Sequence, residues 1–189
     1  MPTIATYYTQ GFADWETTFL NAVARGFYGV TTLAATPDGA PVTSMGGLVV
    51  TPDCAAEALD MDAIDALVIC GGTIWVTPQA PDIAALAQAA HRAGKLVAGI
   101  CDGTLALART GLLDNVAHTG SGKEHLATTG YGGTALYREA PGAVADGSII
   151  TAASTAPVDF MVNVLEALNL GDAQLRHYAG LHAAQHRAA

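Results

Sequence analysis

The run Lys95 to Leu105, KLVAGICDGTL, leaves the chain few options. An apolar, strand-like stretch ends abruptly at Gly99-Ile100-Cys101-Asp102-Gly103, and a helical pattern starts at once. That is a strand stopping at a sharp turn with a thiol on its tip. A residue held there projects past the sheet edge, and the N–H groups of the new helix start point toward it, where they can stabilise a thiolate or an oxyanion. The competing reading is a buried structural cysteine, because free Cys is among the most buried residue types.

The flanking sequence supplies the rest of such a fold. Thr3 to Tyr8 is a short β-rich run, and Trp15 to Phe27 has apolar residues at helical spacing, with Asp14 as a plausible N-cap that puts Glu16 in the first turn. Val30 to Ala35 reads as a second strand and Pro41 to Thr51 as a hairpin or edge excursion around Gly46-Gly47. Ile64 to Cys70 is a continuous apolar run ending in Gly71-Gly72, the pattern of a strand covered on both faces. Pro81 and Asp82 open a helix that Gly94 closes. The Leu96 to Ile100 strand follows, then a helix from about Asp102 to Arg109, a short helix near Gly122 to Thr128, a hairpin around Tyr137 to Val144, a strand over Ser148 to Ala152 and a helix over Pro157 to Leu168.

Strands alternating with helices predict an α/β fold with a mainly parallel sheet and right-handed crossovers. Residues 1 to 189 read as one domain, with a core of about 3 to 168 and a C-terminal helix or tail over 171 to 189. In such sheets the crevice lies beyond the carboxyl ends of the strands. Thr9 to Glu16, Gly71-Gly72, Cys101-Asp102 and Ala153 to Pro157 all leave strand ends there.

Composition narrows the partners. Eight Lys and Arg against 17 Asp and Glu give a net charge of −9, which argues against nucleic acid and anionic membrane surfaces. No run approaches the roughly 20 apolar residues of a membrane span, and the N-terminus lacks the pattern of a signal peptide. Half the residues are apolar and only 13% are charged, so a homodimer that hides part of the surface is expected. Cys54, Cys70 and Cys101 are odd in number and lack metal-ligand spacing, which suits free thiols in a reducing cytoplasm. No dinucleotide or P-loop fingerprint occurs, so no cofactor is expected.

At the strand ends, Cys101 needs a pKa below the ordinary thiol value of about 8.5 to react near neutrality. Asp102 opposes this if its carboxylate faces the sulfur. A protonated Glu16 would donate a hydrogen bond to the thiolate, whereas the bland alternative is a first-turn Glu complementing the helix dipole. Gly71-Gly72 lets backbone amides approach a reacting group, and the Gly72 and Asp102 N–H groups could form an oxyanion hole. His118 follows the elbow helix closely enough to serve as general base or acid, or else is a loop histidine bonded to backbone. His125 reads as a surface helix residue. Cys70 reads as packed at its strand end, and Cys54 as structural or exposed. His182 and His186, at i and i+4, could in principle hold a metal, although no carboxylate or Cys accompanies them.

Taken in order, Ala13-Asp14-Trp15-Glu16, Gly71-Gly72, Gly99-Ile100-Cys101 with Gly103, His118-Thr119-Gly120 and Ser154-Thr155-Ala156-Pro157 resemble the ThiJ/PfpI superfamily. That superfamily includes the parkinsonism-associated deglycase and lies within the class I glutamine amidotransferase-like group. The turn at Cys101 resembles the nucleophile elbow of serine hydrolases with Cys in the Ser position. The resemblance implies a flavodoxin-like α/β/α sandwich, commonly dimeric, in which Cys101 is the elbow cysteine and Glu16 the protonated glutamate beside it. It also implies that the Gly72 and Asp102 amides are oxyanion donors and His118 a pocket histidine, with Gly71, Trp15 and Thr155 near the pocket. Two departures stand out. Protease-like members carry a His directly after the cysteine where this chain has Asp102, and Cys70 replaces the more usual proline before the double glycine.

The resulting expectation is a small-molecule cysteine enzyme of hydrolase, hydratase or glyoxalase type, with peptidase and glutamine amidotransferase activity disfavoured. A redox or stress sensor with an oxidisable Cys101 and a binding module that has lost the chemistry are the alternatives.

Overall fold

The apolar runs of the sequence become the inner strands of one sheet. The computed structural model describes residues 1–184. The chain runs β1 (Thr3–Tyr7), α1 (Asp14–Tyr28), β2 (Thr31–Thr36), β3 (Val42–Thr43), β4 (Val49–Val50) and β5 (Cys54–Ala55), then β6 (Ala66–Ile69), α2 (Ala84–Arg92), β7 (Leu96–Ile100), α3 (Gly103–Arg109) and α4 (Lys123–Ala127). It finishes with β8 (Val144–Asp146), β9 (Ile149–Ala152), α5 (Pro157–Ala167) and α6 (Ala173–Ala184). Seven strands make the main sheet in the order β5-β2-β1-β6-β7-β9-β8. All its pairings are parallel except β8 with β9.

Every residue of β6 and β7 is buried, as their unbroken apolar sequence requires of strands covered on both faces. Helices α1, α5 and α6 cover one side, with Leu20, Val23, Phe160 and Val164 against Ile4, Val68 and Ala98. Helices α2 and α3 cover the other, where Leu105 and Leu107 join Trp75, Leu67 and Ile69. The result is a three-layer α/β/α sandwich. The chain leaves β1 toward β2 on one side and reaches β6 on the other, so a topological switch point falls between β1 and β6, where a crevice is expected at the strand ends.

Two local expectations are corrected. Asp14 is not the N-cap of α1: Ala13 holds that position in extended geometry, and Asp14 is the first helical residue. Its carboxylate instead accepts hydrogen bonds from Ser44 Oγ and, at 2.8 Å, from the Gly46 N–H, which hold its pKa low and clasp the β3–β4 hairpin to the start of α1. The hairpin placed around 137–144 lies further along, where β8 and β9 pair across Gly147-Ser148. Gly147 has φ +59°, the left-handed geometry that tight hairpin turns require and glycine supplies.

Candidate active site

Among the described residues, Cys101 is one of two non-glycine residues with positive φ, at +54°. Its N–H donates to the Ala152 carbonyl of β9 at 2.9 Å, while its own carbonyl accepts from Thr104 N–H at 3.0 Å and Thr104 Oγ1 at 2.5 Å. The residue is thus fastened to the neighbouring strand on one side and to α3 on the other, and this fixes a backbone conformation that ordinarily costs on the order of 1–2 kcal/mol. Such a turn needs room behind it. A Cβ on Gly103 would sit 2.5 Å from the Ile69 carbonyl oxygen, so only glycine lets α3 start against the end of β6. This is a strand-to-helix elbow with the thiol at its apex, half-buried.

Glu16 reaches the elbow from α1. Its side chain is fully buried, and Oε2 accepts the Gly71 N–H at 2.7 Å, leaving Oε1 without a nitrogen or oxygen partner. The carboxyl lies beside Cys101, the two side chains flanking the space at Gly71, and each shifts the titration of the other. Gly71 makes this approach feasible, because a Cβ there would collide with Glu16 Oε2 and lie 2.7 Å from Cys101 Cβ. Burial raises the Glu16 carboxyl from 4.5 to about 7, an effect only partly offset by its hydrogen bonds with Cys101 and Gly71. Burial also raises the Cys101 thiol, and the Glu16 carboxylate and then Asp102 push it further. The push from Glu16 exists only while that carboxyl is ionised. With the proton on Glu16, the same contact becomes an O–H donated to sulfur, which favours the thiolate. The two groups therefore titrate as a pair that shares one proton over a span above neutrality.

Two backbone N–H groups close to the elbow have no protein acceptor among the described residues: that of Gly72, beyond β6, and that of Asp102, directly after Cys101. The Ser121 hydroxyl is buried without a hydrogen-bond partner, and its nearness to Cys101 lowers the thiol pKa slightly against the larger effects that raise it. Neither Ser121 nor its loop carries a local sequence signal that would have singled it out.

The remaining predicted residues fall in different places. The structure does not bring His118 into hydrogen-bonding contact with Cys101. Its ring is fully buried, with Nδ1 on the Val116 carbonyl and Nε2 on the Tyr131 hydroxyl, each at 2.8 Å. A carbonyl only accepts, so Nδ1 carries the proton and Nε2 accepts from tyrosine. Burial lowers its pKa, and Tyr131 and Tyr137 pack edge-on against the ring. The histidine at the elbow is instead His125, the expected surface residue, whose Nε2 lies 3.2 Å from Asp102 Oδ1. That bond turns the Asp102 carboxylate to the loop that carries α4. Trp15 is half-exposed and donates from its indole to the Ser154 carbonyl at 3.3 Å, joining α1 to the loop after β9. Thr155 is exposed and lines a groove of about 730 Å³ together with Phe19, Asp159 and His182. Cys70 is fully buried, with Sγ 3.6 Å from the Ala13 carbonyl and from Thr17 Oγ1, and burial raises its pKa.

Among the described residues no group of three or more His, Cys, Asp or Glu is placed to hold a metal ion, and no helix is long and apolar enough to cross a membrane. His182 packs edge-on against Phe19 and Tyr178. His186, its proposed co-ligand, lies outside the described residues.

An α/β sandwich with a cysteine on a strand-to-helix elbow and a buried glutamate beside it defines a class, and comparison with known proteins identifies it. The DJ-1/PfpI family model matches residues 2–167, so the chain belongs to the DJ-1/PfpI family. It is 48% identical to the DJ-1 superfamily protein Atu0886 from Agrobacterium tumefaciens, with TM-score 0.95 over 98% of this chain and 100% of that one. A ThiJ/PfpI family protein from Bacillus anthracis superposes with TM-score 0.87 at 28% identity, over 96% and 91% of the two chains. The uncharacterized protease YoaZ of Bacillus subtilis is 30% identical over 131 residues, which span 68% of this chain and 62% of that protein. A 77-residue stretch, 41% of this chain, is 35% identical to 20% of the transcriptional regulator GbdR of Pseudomonas aeruginosa.

Proposed function

We propose that the protein is a cysteine-dependent enzyme acting on a small electrophile such as an aldehyde, an amide or an isocyanide. The observation that carries this reading is the contact between Cys101 at its positive-φ elbow and the buried Glu16 carboxyl, whose pKa is raised to about 7. In the reactive form Glu16 holds the shared proton and donates it as a hydrogen bond to the thiolate. The sulfur forms a bond to the electrophilic carbon and, for a carbonyl, the π electron pair moves to oxygen. The Gly72 and Asp102 N–H groups, free of protein acceptors, are suited to hold that oxyanion, a role commonly worth several kcal/mol. Gly71 serves by leaving room for the Glu16 contact.

A non-enzymatic thiol sensor is the second reading. It is favoured by the same carboxyl, since Glu16 Oε1 has no nitrogen or oxygen partner and could donate to an oxygen of a Cys101 sulfinate. Peptidase chemistry has less support, because Asp102 rather than a histidine follows the elbow cysteine. A homodimer fits the exposed apolar side chains Trp15, Phe27, Met45, Leu48 and Val49, and light scattering on the purified protein would test it.

The functional reading is tested by the pH dependence of alkylation at Cys101, measured peptide by peptide with Cys54 and Cys70 as internal controls. The expected result is a rate that rises through an apparent pKa well below about 8.5 and shifts upward in Glu16→Gln. A value at or above 8.5 that ignores Glu16 would remove the activated thiolate and leave a binding module.

A further inference from the structure

If Cys101 forms a covalent adduct, some group must move protons as that adduct forms and breaks, and His118 is occupied at both ring nitrogens. His125 is differently placed. Just after Ser121 the chain enters α4 and presents His125 Nε2, at 3.2 Å, to the carboxylate of Asp102, the residue immediately after Cys101. The His125 side chain keeps 39% of its surface exposed and Asp102 keeps 21%, so water and a small substrate can reach both. Nδ1 of His125 makes no hydrogen bond among the described residues.

We propose that His125 is the proton-transfer residue serving Cys101, with Asp102 as the positioning residue that orients its ring. The inference rests on the reading of Cys101 as a nucleophile. It also gives Asp102 a purpose: although its charge still raises the Cys101 pKa, its carboxylate holds an imidazole beside the elbow. An imidazole held at one nitrogen by a carboxylate leaves the other to exchange a proton with a water or an adduct oxygen.

p-Nitrophenyl acetate separates the two claims. The thiolate bonds to the acetyl carbon and p-nitrophenolate leaves with the electron pair of the broken C–O bond, giving an initial burst. Water then adds to the thioester carbon, its proton passes to His125, the C–S bond breaks with the pair returning to sulfur, and acetic acid departs. In His125→Gln and His125→Ala the burst is expected to persist while the steady-state rate falls about 100-fold, the ordinary worth of general acid–base catalysis. Added imidazole should restore His125→Ala, a rescue that a loss of loop structure would not show. Asp102→Asn should fall between these variants and the parent. Steady-state rates equal to the parent in both His125 variants, or a loss that imidazole does not restore, would overturn the role of His125. A parent that gives no burst, like Cys101→Ser, would overturn the nucleophile itself.

Discussion

Cys70 and Cys101 stand at the carboxyl ends of adjacent parallel strands, and both lie within the electrostatic reach of Glu16. They nonetheless occupy opposite chemical situations. Cys70 continues the extended line of β6 into the interior, where its S–H points at the Ala13 carbonyl and its pKa is raised chiefly by burial. At Cys101 the backbone reverses into positive φ, so the thiol leaves the strand direction and meets a carboxyl that can hand it a hydrogen bond. A place at the end of a strand therefore does not by itself set the surroundings of a thiol. The turn that follows, and the donor it meets, decide them.

The largest test is the contrast itself. Iodoacetamide at neutral pH should modify Cys101 at least about 100-fold faster than Cys70, since one is an accessible, hydrogen-bonded thiol and the other is sealed; comparable rates by peptide mass spectrometry would erase the distinction. Gly71→Ala should abolish much of that difference, because the new methyl separates Glu16 from Cys101, and Cys101 alkylation at pH 7 would fall toward the Cys70 rate.

Glu16 sharpens the comparison through stability. Its folded pKa of about 7 exceeds the reference 4.5, so the folded state binds more protons between those values and stability falls as pH rises through them. The group's contribution is fully present below about 4.5 and lost as pH passes about 7, a swing of roughly 3 kcal/mol from a shift of this size. Denaturant melts should show this slope in the parent and its loss in Glu16→Gln. His118→Ala should cost about 2–3 kcal/mol by orphaning Tyr131 and the Val116 carbonyl, yet leave Cys101 alkylation unchanged. The smallest effect is expected for Cys70→Ser, within about 1.5 kcal/mol, because the hydroxyl keeps the bonds to Ala13 and Thr17.

What could be read from the sequence was whatever is written locally. The elbow announces itself because Leu96–Ile100, Cys101 and Gly103 are contiguous, and the burial of Cys70 follows from the unbroken apolar run before it. The residue numbers of the strands and helices shifted by only one or two at most ends. The sequence left the place of His118 open because residues 110–137 have no clean periodicity, so which side chain turns inward depends on tertiary neighbours: Tyr131 and Tyr137 capture His118, and Asp102 draws His125. The misplaced hairpin is different, since Asp146-Gly147 is a turn signal present in the sequence and outweighed there by Pro141-Gly142.

The hydrogen bond from the Cys101 N–H to the Ala152 carbonyl has a consequence in time as well as space. Strand β9 is the last strand among the described residues, synthesised well after Cys101 and reached by a long connection through α4 and β8. Until residue 152 has left the ribosome the elbow lacks its outer support, and the thiol is merely one of three on a nascent chain. The protein acquires the setting of this sulfur only after β9 has emerged, when the strand that supports the elbow is in place.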